Sequence, residues 1–245
     1  MEQRMTVRRA LSVFIMSMAG ALFLGYMLHL ALGTKPRPVA PLQRKANELV
    51  ILCAGDSITA GGYPGRLYLK LKEAGIDAQV VNCGVPGYTS REFLHYMMLE
   101  APLRKTNPDV VLLQLGTNDV RSDFNHATTE QFIANMRQII ARIKAQEGAG
   151  RRPALLIALI PPVVKDFPSF SRESVRRVTE EINPAIRKLA AEHRLILIDH
   201  YSLFAEHPTW MDGIHPTPEG YQAMADNWFR ILKKEQLLSR RPRGK

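Results

Sequence analysis

The stretch Leu49-Val50-Ile51-Leu52-Cys53-Ala54-Gly55-Asp56-Ser57 opens on six apolar residues. A run of Val, Ile and Leu without alternation is the pattern of a strand covered on both faces. It stops at Gly55, and an Asp and a Ser follow. Open α/β sheets bind ligands beyond the carboxyl ends of their strands, so Ser57 stands where such folds do chemistry. A serine hydroxyl alone is a weak nucleophile. It needs a base, a group that orients the base, and donors for an oxyanion.

Downstream of Ser57, strand and helix signals alternate. Gly61, Gly62, Pro64 and Gly65 make a loop, then a helix spans about Leu67–Ala74 and stops at Gly75. Strands are expected at Ala78–Asn82, Asp109–Leu115, Ala154–Ile160 and Leu195–Ile198. Between them, Thr89 with Glu92 and Thr128 with Gln131 have the spacing of capping boxes. They open helices to about Ala101 and Gln146. Ser171–His193 reads as a helix kinked near Pro184. Thr217 as N-cap and Pro218 at the first helical position start a last helix to about Leu237. Five short strands separated by helices predict a three-layer α/β/α sandwich around a parallel, flavodoxin-like sheet. Right-handed crossovers bring every strand-to-helix loop to one edge.

Those loops hold the polar residues. The second runs Asn82-Cys83-Gly84-Val85-Pro86-Gly87-Tyr88-Thr89, whose glycines let backbone approach a ligand. The third is Gly116-Thr117-Asn118-Asp119, where the Asn118 carboxamide is a neutral donor suited to a developing oxyanion. The last is Asp212-Gly213-Ile214-His215-Pro216, which sets an Asp three residues before a His. One loop can thus carry both a base and its orienting carboxylate.

With these four blocks in this order, residues 49–232 resemble the SGNH hydrolases, also called the GDSL esterase/lipase superfamily. The resemblance implies Ser57 as nucleophile, His215 as general base and acid, and Asp212 as the residue that orients His215. It implies an oxyanion hole from the Ser57 and Gly87 N–H groups and the Asn118 side chain. Asp56 is then structural, tying neighbouring loops. The expected reaction is ester hydrolysis through an acyl-Ser57 intermediate, without cofactor or metal. The substrate is a small-molecule ester, a lipid or an O-acylated carbohydrate. A non-catalytic sugar- or lipid-binding module on the same fold, or an acyltransferase using the same triad, are the alternatives. The G-x-S-x-G elbow of α/β-hydrolases is absent, since the chain runs Gly55-Asp56-Ser57-Ile58-Thr59.

The net charge of +10 raises the question of nucleic acid, and its distribution answers it. Residues 1–48 and 233–245 each carry +5, and 49–232 is neutral. No basic stripe crosses the domain, so no nucleic-acid partner is expected. Instead the chain divides into a short basic N-terminus (1–9), an apolar span (10–32), a Pro-containing linker (33–48), the hydrolase domain (49–237) and a basic tail (238–245). In Ala10–Leu32 the only acidic or basic side chain is His29, and 23 residues suffice to cross a bilayer. Arg4, Arg8 and Arg9 precede the span. We therefore expect an uncleaved single-pass anchor with the domain on the extracytoplasmic side. Ala31-Leu32-Gly33 also resembles a cleavage site, which leaves a signal peptide as the other reading.

Seven histidines are present without metal-binding spacing. His200 and His207 read as surface or loop residues, and His95 and His193 as helical. Cys53 and Cys83 read as buried thiols, with a disulfide as the alternative. Tyr88, Phe124, Phe167, Phe170, Tyr201, Phe204 and Trp210 fall near the active edge as pocket walls or loop anchors. Arg121 and Asp123 either meet substrate or pair with each other.

Overall fold

A computed structural model describes residues 45, 48–95, 100–123, 126–146, 152–164 and 166–239. The apolar span 10–32, nearly all of the linker, Phe124 and residues 240–245 of the basic tail lie outside them. Among the described residues no helix is long and apolar enough to cross a membrane. Glu48, placed in the linker by its sequence, is buried, and its carboxylate accepts from Gln79 Nε2 and the Lys45 N–H.

Five parallel strands form the sheet: β1 (Leu49–Gly55), β2 (Ala78–Gly84), β3 (Val110–Gln114), β4 (Ala154–Ala158) and β5 (Ile196–Ile198). Their order is β2-β1-β3-β4-β5. This is the flavodoxin-like arrangement, in which the chain reverses its direction of winding beside β1. Ser57 follows β1 and so sits at that crevice. Every residue of β1 is buried, because helices cover both faces.

One face carries α1 (Ser57–Ala60), α2 (Tyr63–Glu73) and, from the chain's end, α9 (Pro218–Lys234). Leu49, Ile51 and Cys53 pack there with Tyr63, Leu67 and Trp228. The other face carries α3 (Ser90–His95), α5 (Thr129–Lys144) and α7 (Asn183–His193). Leu52 and Ala54 pack there with Phe93, Phe132, Met136 and Ile186. Burying a side chain such as Leu52 or Phe132 is worth about 1.5–3 kcal/mol. Both capping boxes form. Thr128 and Gln131 satisfy each other's backbone at the start of α5, as do Thr89 and Glu92 before α3.

Four local expectations change, the first being that Pro64 and Gly65, read as loop, lie in the opening turn of α2. The helix expected to end at Ala101 is two, α3 and α4 (Glu100–Thr106). The kink expected at Pro184 is a π-helical turn, Val178–Ile182, between α6 (Arg172–Arg177) and α7. The Asn183 N–H reaches back five residues to Val178 O just before the proline, which has no N–H to give. The Asn183 side chain then bonds both backbone groups of Ile160, at the end of β4. His200 opens an unexpected helix, α8 (His200–Ala205), and is fully buried. Its Nδ1 lies 2.9 Å from Gln114 Oε1 and its ring packs on Trp228. Burial pushes its pKa down to about 3, so it stays neutral. Cys53 and Cys83 are buried free thiols, as expected, and face opposite helical layers.

Candidate active site

The carboxyl ends of the strands bring the four blocks together. Gly55 and Gly84 make this possible for Ser57. A Cβ on Gly55 would stand 2.1 Å from Gln114 O, and one on Gly84 would stand 2.2 Å from Ala60 N. Without side chains there, α1 lies directly against the ends of β1 and β2. Asp56 caps α1, its Oδ1 accepting from the Ile58 N–H at 2.9 Å. Burial raises the Asp56 pKa to about 6, while Ile58 and Thr117 hold it down. Asp56 is fully buried beside Thr117 of the third loop. Ser57 is the first residue of α1, and its own N–H has no acceptor within the helix.

The loop after β2 turns at Val85-Pro86-Gly87-Tyr88. The Tyr88 N–H bonds Val85 O, and Gly87 has φ +80°. Proline then glycine with that φ is a type II turn, which only a residue free of Cβ strain adopts cheaply at the second central position. The Gly87 N–H stays outside the turn's own hydrogen bond. Asn118 sits in a 3₁₀ turn, Asn118–Val120, and is buried. Its Nδ2 donates one hydrogen to Tyr88 O at 3.0 Å, which latches the second loop to the third and leaves the other hydrogen for a ligand.

A buried network fixes that turn from below. The Asp119 carboxylate accepts from Ser90 N and from Ser90 Oγ, the latter at 2.6 Å, and Asn135 donates to the same hydroxyl. Arg177 donates to the carbonyls of Asp119 and Ala127. Burial raises the Asp119 pKa to about 6, opposed by the Ser90 hydrogen bonds. Nothing in the sequence marks Ser90, Asn135 and Arg177 as members of one network with Asp119, because they come from three separate helices.

The last block is a hairpin of β6 (Met211–Asp212) and β7 (His215–Pro216), with Asp212 paired across from His215. Gly213 has φ +67° and Ile214 does not have positive φ, the pattern of a type II′ hairpin turn. Ile214 is buried in the core and pins the turn. His215 Nε2 lies 2.9 Å from Ser57 Oγ. Burial pushes the His215 pKa below its ordinary value, and the Asp212 carboxylate pulls it part of the way back. The ring is therefore neutral at pH 7 and free to take a proton. Asp212 is exposed, and among the described residues it makes no hydrogen bond to the ring. Its influence on His215 is that of a nearby charge.

Other sequence candidates separate cleanly. Arg121 pairs with Asp123. Phe170 and Phe204 are core residues, and Tyr88, Tyr201 and Trp210 are partly buried against the core. His207 stacks on Trp210 with ring centroids 3.8 Å apart. A groove of about 790 Å³ between α5 and α6–α7 is lined by Arg121, Glu173, Arg177, Glu181 and Lys188, among others, and by no residue of the four blocks. Among the described residues no three His, Cys, Asp or Glu side chains cluster closely enough to hold a metal.

A serine hydroxyl bonded to an imidazole at the start of a helix, on the sheet edge whose loops also carry Asn118, suits acyl transfer. The model of the GDSL-like lipase/acylhydrolase family matches residues 53–223, from inside β1 to inside α9. The chain belongs to that family. It is a GDSL-type carboxylic ester hydrolase. It is 30% identical over 194 residues to a thioesterase/protease/lysophospholipase of Escherichia coli, covering 75% of this chain and 83% of that one. An acetylxylan esterase of Xylanibacter ruminicola is 28% identical over 209 residues, covering 74% of this chain and 42% of that larger one. A lipase/acylhydrolase structure from Enterococcus faecalis superposes with TM-score 0.64 at 22% identity, covering 80% of this chain and 100% of that one. That last likeness is one of fold.

Proposed function

We propose that this GDSL-type hydrolase works through an acyl-Ser57 intermediate. His215 takes the Ser57 proton as Oγ attacks the ester carbonyl. The Ser57 and Gly87 N–H groups and the Asn118 Nδ2 receive the oxyanion. His215 then protonates the leaving alcohol, and later activates the water that releases the acid. Asp212 favours the imidazolium formed in between. The 2.9 Å contact between His215 Nε2 and Ser57 Oγ carries the reading, because it is the distance a proton transfer needs. Ser57→Ala and His215→Ala should each abolish hydrolysis of a p-nitrophenyl ester while the protein stays folded. Either variant retaining wild-type turnover would end the proposal.

The substrates are carboxylic esters of a lipid or an O-acylated carbohydrate. The relatives' names span both, one a lysophospholipase and the other an acetylxylan esterase. The apolar span 10–32 tethers the domain to the membrane on its extracytoplasmic side. The support is the length of that span and the arginines before it. Full-length protein should stay with membranes after alkaline carbonate washing, and release into the soluble fraction would refute the tether.

A further inference from the structure

The loop between β4 and α6 is fastened at both ends. Asn183 holds both backbone groups of Ile160 at its start. Near its end, the Ser122 N–H bonds Ser169 O at 2.8 Å and the Arg121 guanidinium reaches Ser169 Oγ. Ser169 has φ +66°, a left-handed conformation that a non-glycine residue keeps only when its surroundings enforce it. Between these anchors stands Phe167. Its N–H faces Val164 O, and its carbonyl accepts from the Phe170 N–H. Its ring meets Phe170 at 6.0 Å between centroids, which ties it to the core.

The other neighbour of Phe167 is the catalytic hairpin. Phe167 and His215 meet edge to face, with centroids 6.1 Å apart and planes at 85°. The hairpin makes room for this ring. A Cβ on Gly213 would stand 2.3 Å from Phe167 Cδ2 and 2.7 Å from Cε2. Glycine at 213 therefore serves two ends, the left-handed turn and the seat for the phenyl ring. Among the described residues, Asp212 accepts no hydrogen bond from the imidazole. The Phe167 ring is the aromatic group packed against the imidazole among the described residues.

We propose that Phe167 is a positioning residue that sets the plane of the His215 ring toward Ser57 and keeps water from its flank. This rests on the catalytic reading of Ser57 and His215 given above. Among the described residues, the hairpin brings one charge to bear on His215, Asp212. The end of β1 and α1 brings the Ser57 hydroxyl, and the β4–α6 loop brings Phe167. Since burial is what depresses the His215 pKa, removing the phenyl ring should raise it.

The test is an NMR titration of the His215 ring in labelled protein, paired with the pH profile of kcat/KM. Phe167→Ala should move the His215 titration, and the acid limb of the profile with it, to higher pH. kcat should fall roughly 10- to 100-fold with little change in KM, as expected for a misplaced catalytic group. Phe167→Leu, which keeps an apolar body of shorter reach, should move both in the same direction by less. As an independent check on the contact, Gly213→Ala should destabilise the wild type more than it destabilises Phe167→Ala, where the clash is gone. A titration unchanged or moved to lower pH in either Phe167 variant, or equal Gly213→Ala costs in the two backgrounds, overturns the proposal. Failure of the catalytic reading itself is separate. It would show as wild-type turnover in Ser57→Ala, and the NMR and stability arms would still decide whether Phe167 governs His215.

Discussion

Replacing Asn118 by Ala separates two roles of one side chain. One Nδ2 hydrogen is spent on Tyr88 O at 3.0 Å, a latch between two loops. The other is the proposed oxyanion donor. A neutral hydrogen bond contributes a net ~1 kcal/mol to stability. For a domain of this size that lowers Tm by about 2–4 °C. Loss of one preorganised oxyanion donor costs far more of the transition state, about 2.7–4 kcal/mol, or 10²–10³ in kcat. The two effects thus differ by about 1.7–3 kcal/mol, roughly one to two orders of magnitude. Steady-state hydrolysis of p-nitrophenyl acetate at 25 °C reads the oxyanion role, and thermal unfolding followed by circular dichroism reads the latch. Asn118→Asp sharpens the test. It keeps the shape, cannot donate when ionised, and sets a negative charge beside the oxyanion, so it should be no faster than the Ala variant. A kcat within about threefold of wild type for folded Asn118→Ala, far short of a lost oxyanion donor, would refute the assignment.

The remaining predictions concern charge and pH. Asp212→Asn should cost roughly 10–10²-fold in kcat, well short of the ~10⁴-fold seen where a triad carboxylate is buried and hydrogen-bonded to its histidine. A loss near the larger figure would mean that the carboxylate closes onto the ring during turnover. His200 gives a stability prediction of definite sign. Folded, its pKa is depressed to about 3 against 6.5 unfolded, so its contribution is present above pH 6.5 and is lost as acid protonates the unfolded chain. Between pH 7 and pH 5 that loss is about 2 kcal/mol, while Asp56 and Asp119, whose folded pKa values are raised, act in the opposite sense. Comparing variants cancels the carboxylates. The stability gap between wild type and His200→Asn, measured by urea unfolding, should narrow by about 2 kcal/mol over that range, and a constant gap would contradict it.

The sheet and the four blocks were legible in the sequence for a simple reason. β1 is buried on both faces, so burial wrote an unbroken apolar run into it. Each functional residue follows directly on a strand end or a glycine turn, where local backbone geometry leaves its own mark. The capping boxes at Thr128 and before α3 are local in the same sense. What was not legible is long-range. His200 looks like a loop residue until Gln114 and Trp228, far away in the chain, close over it. Asp119 finds Ser90 across 29 residues, and Phe167 finds His215 only after β4 and the hairpin dock on one edge. The triad pattern also promised more than the geometry delivers, because an Asp three residues before a His guarantees proximity and not a hydrogen bond. The π turn before Pro184 depends on where Asn183 can reach Ile160, which no local window contains.

Covalent trapping tests the central claim most directly. Wild-type protein incubated with a fluorophosphonate and digested for mass spectrometry should carry one adduct, on the peptide containing Ser57. His215→Ala should label far more slowly, since its serine lacks a base. An adduct mapped to another residue, or equal labelling of Ser57→Ala, would contradict a nucleophile at the end of β1.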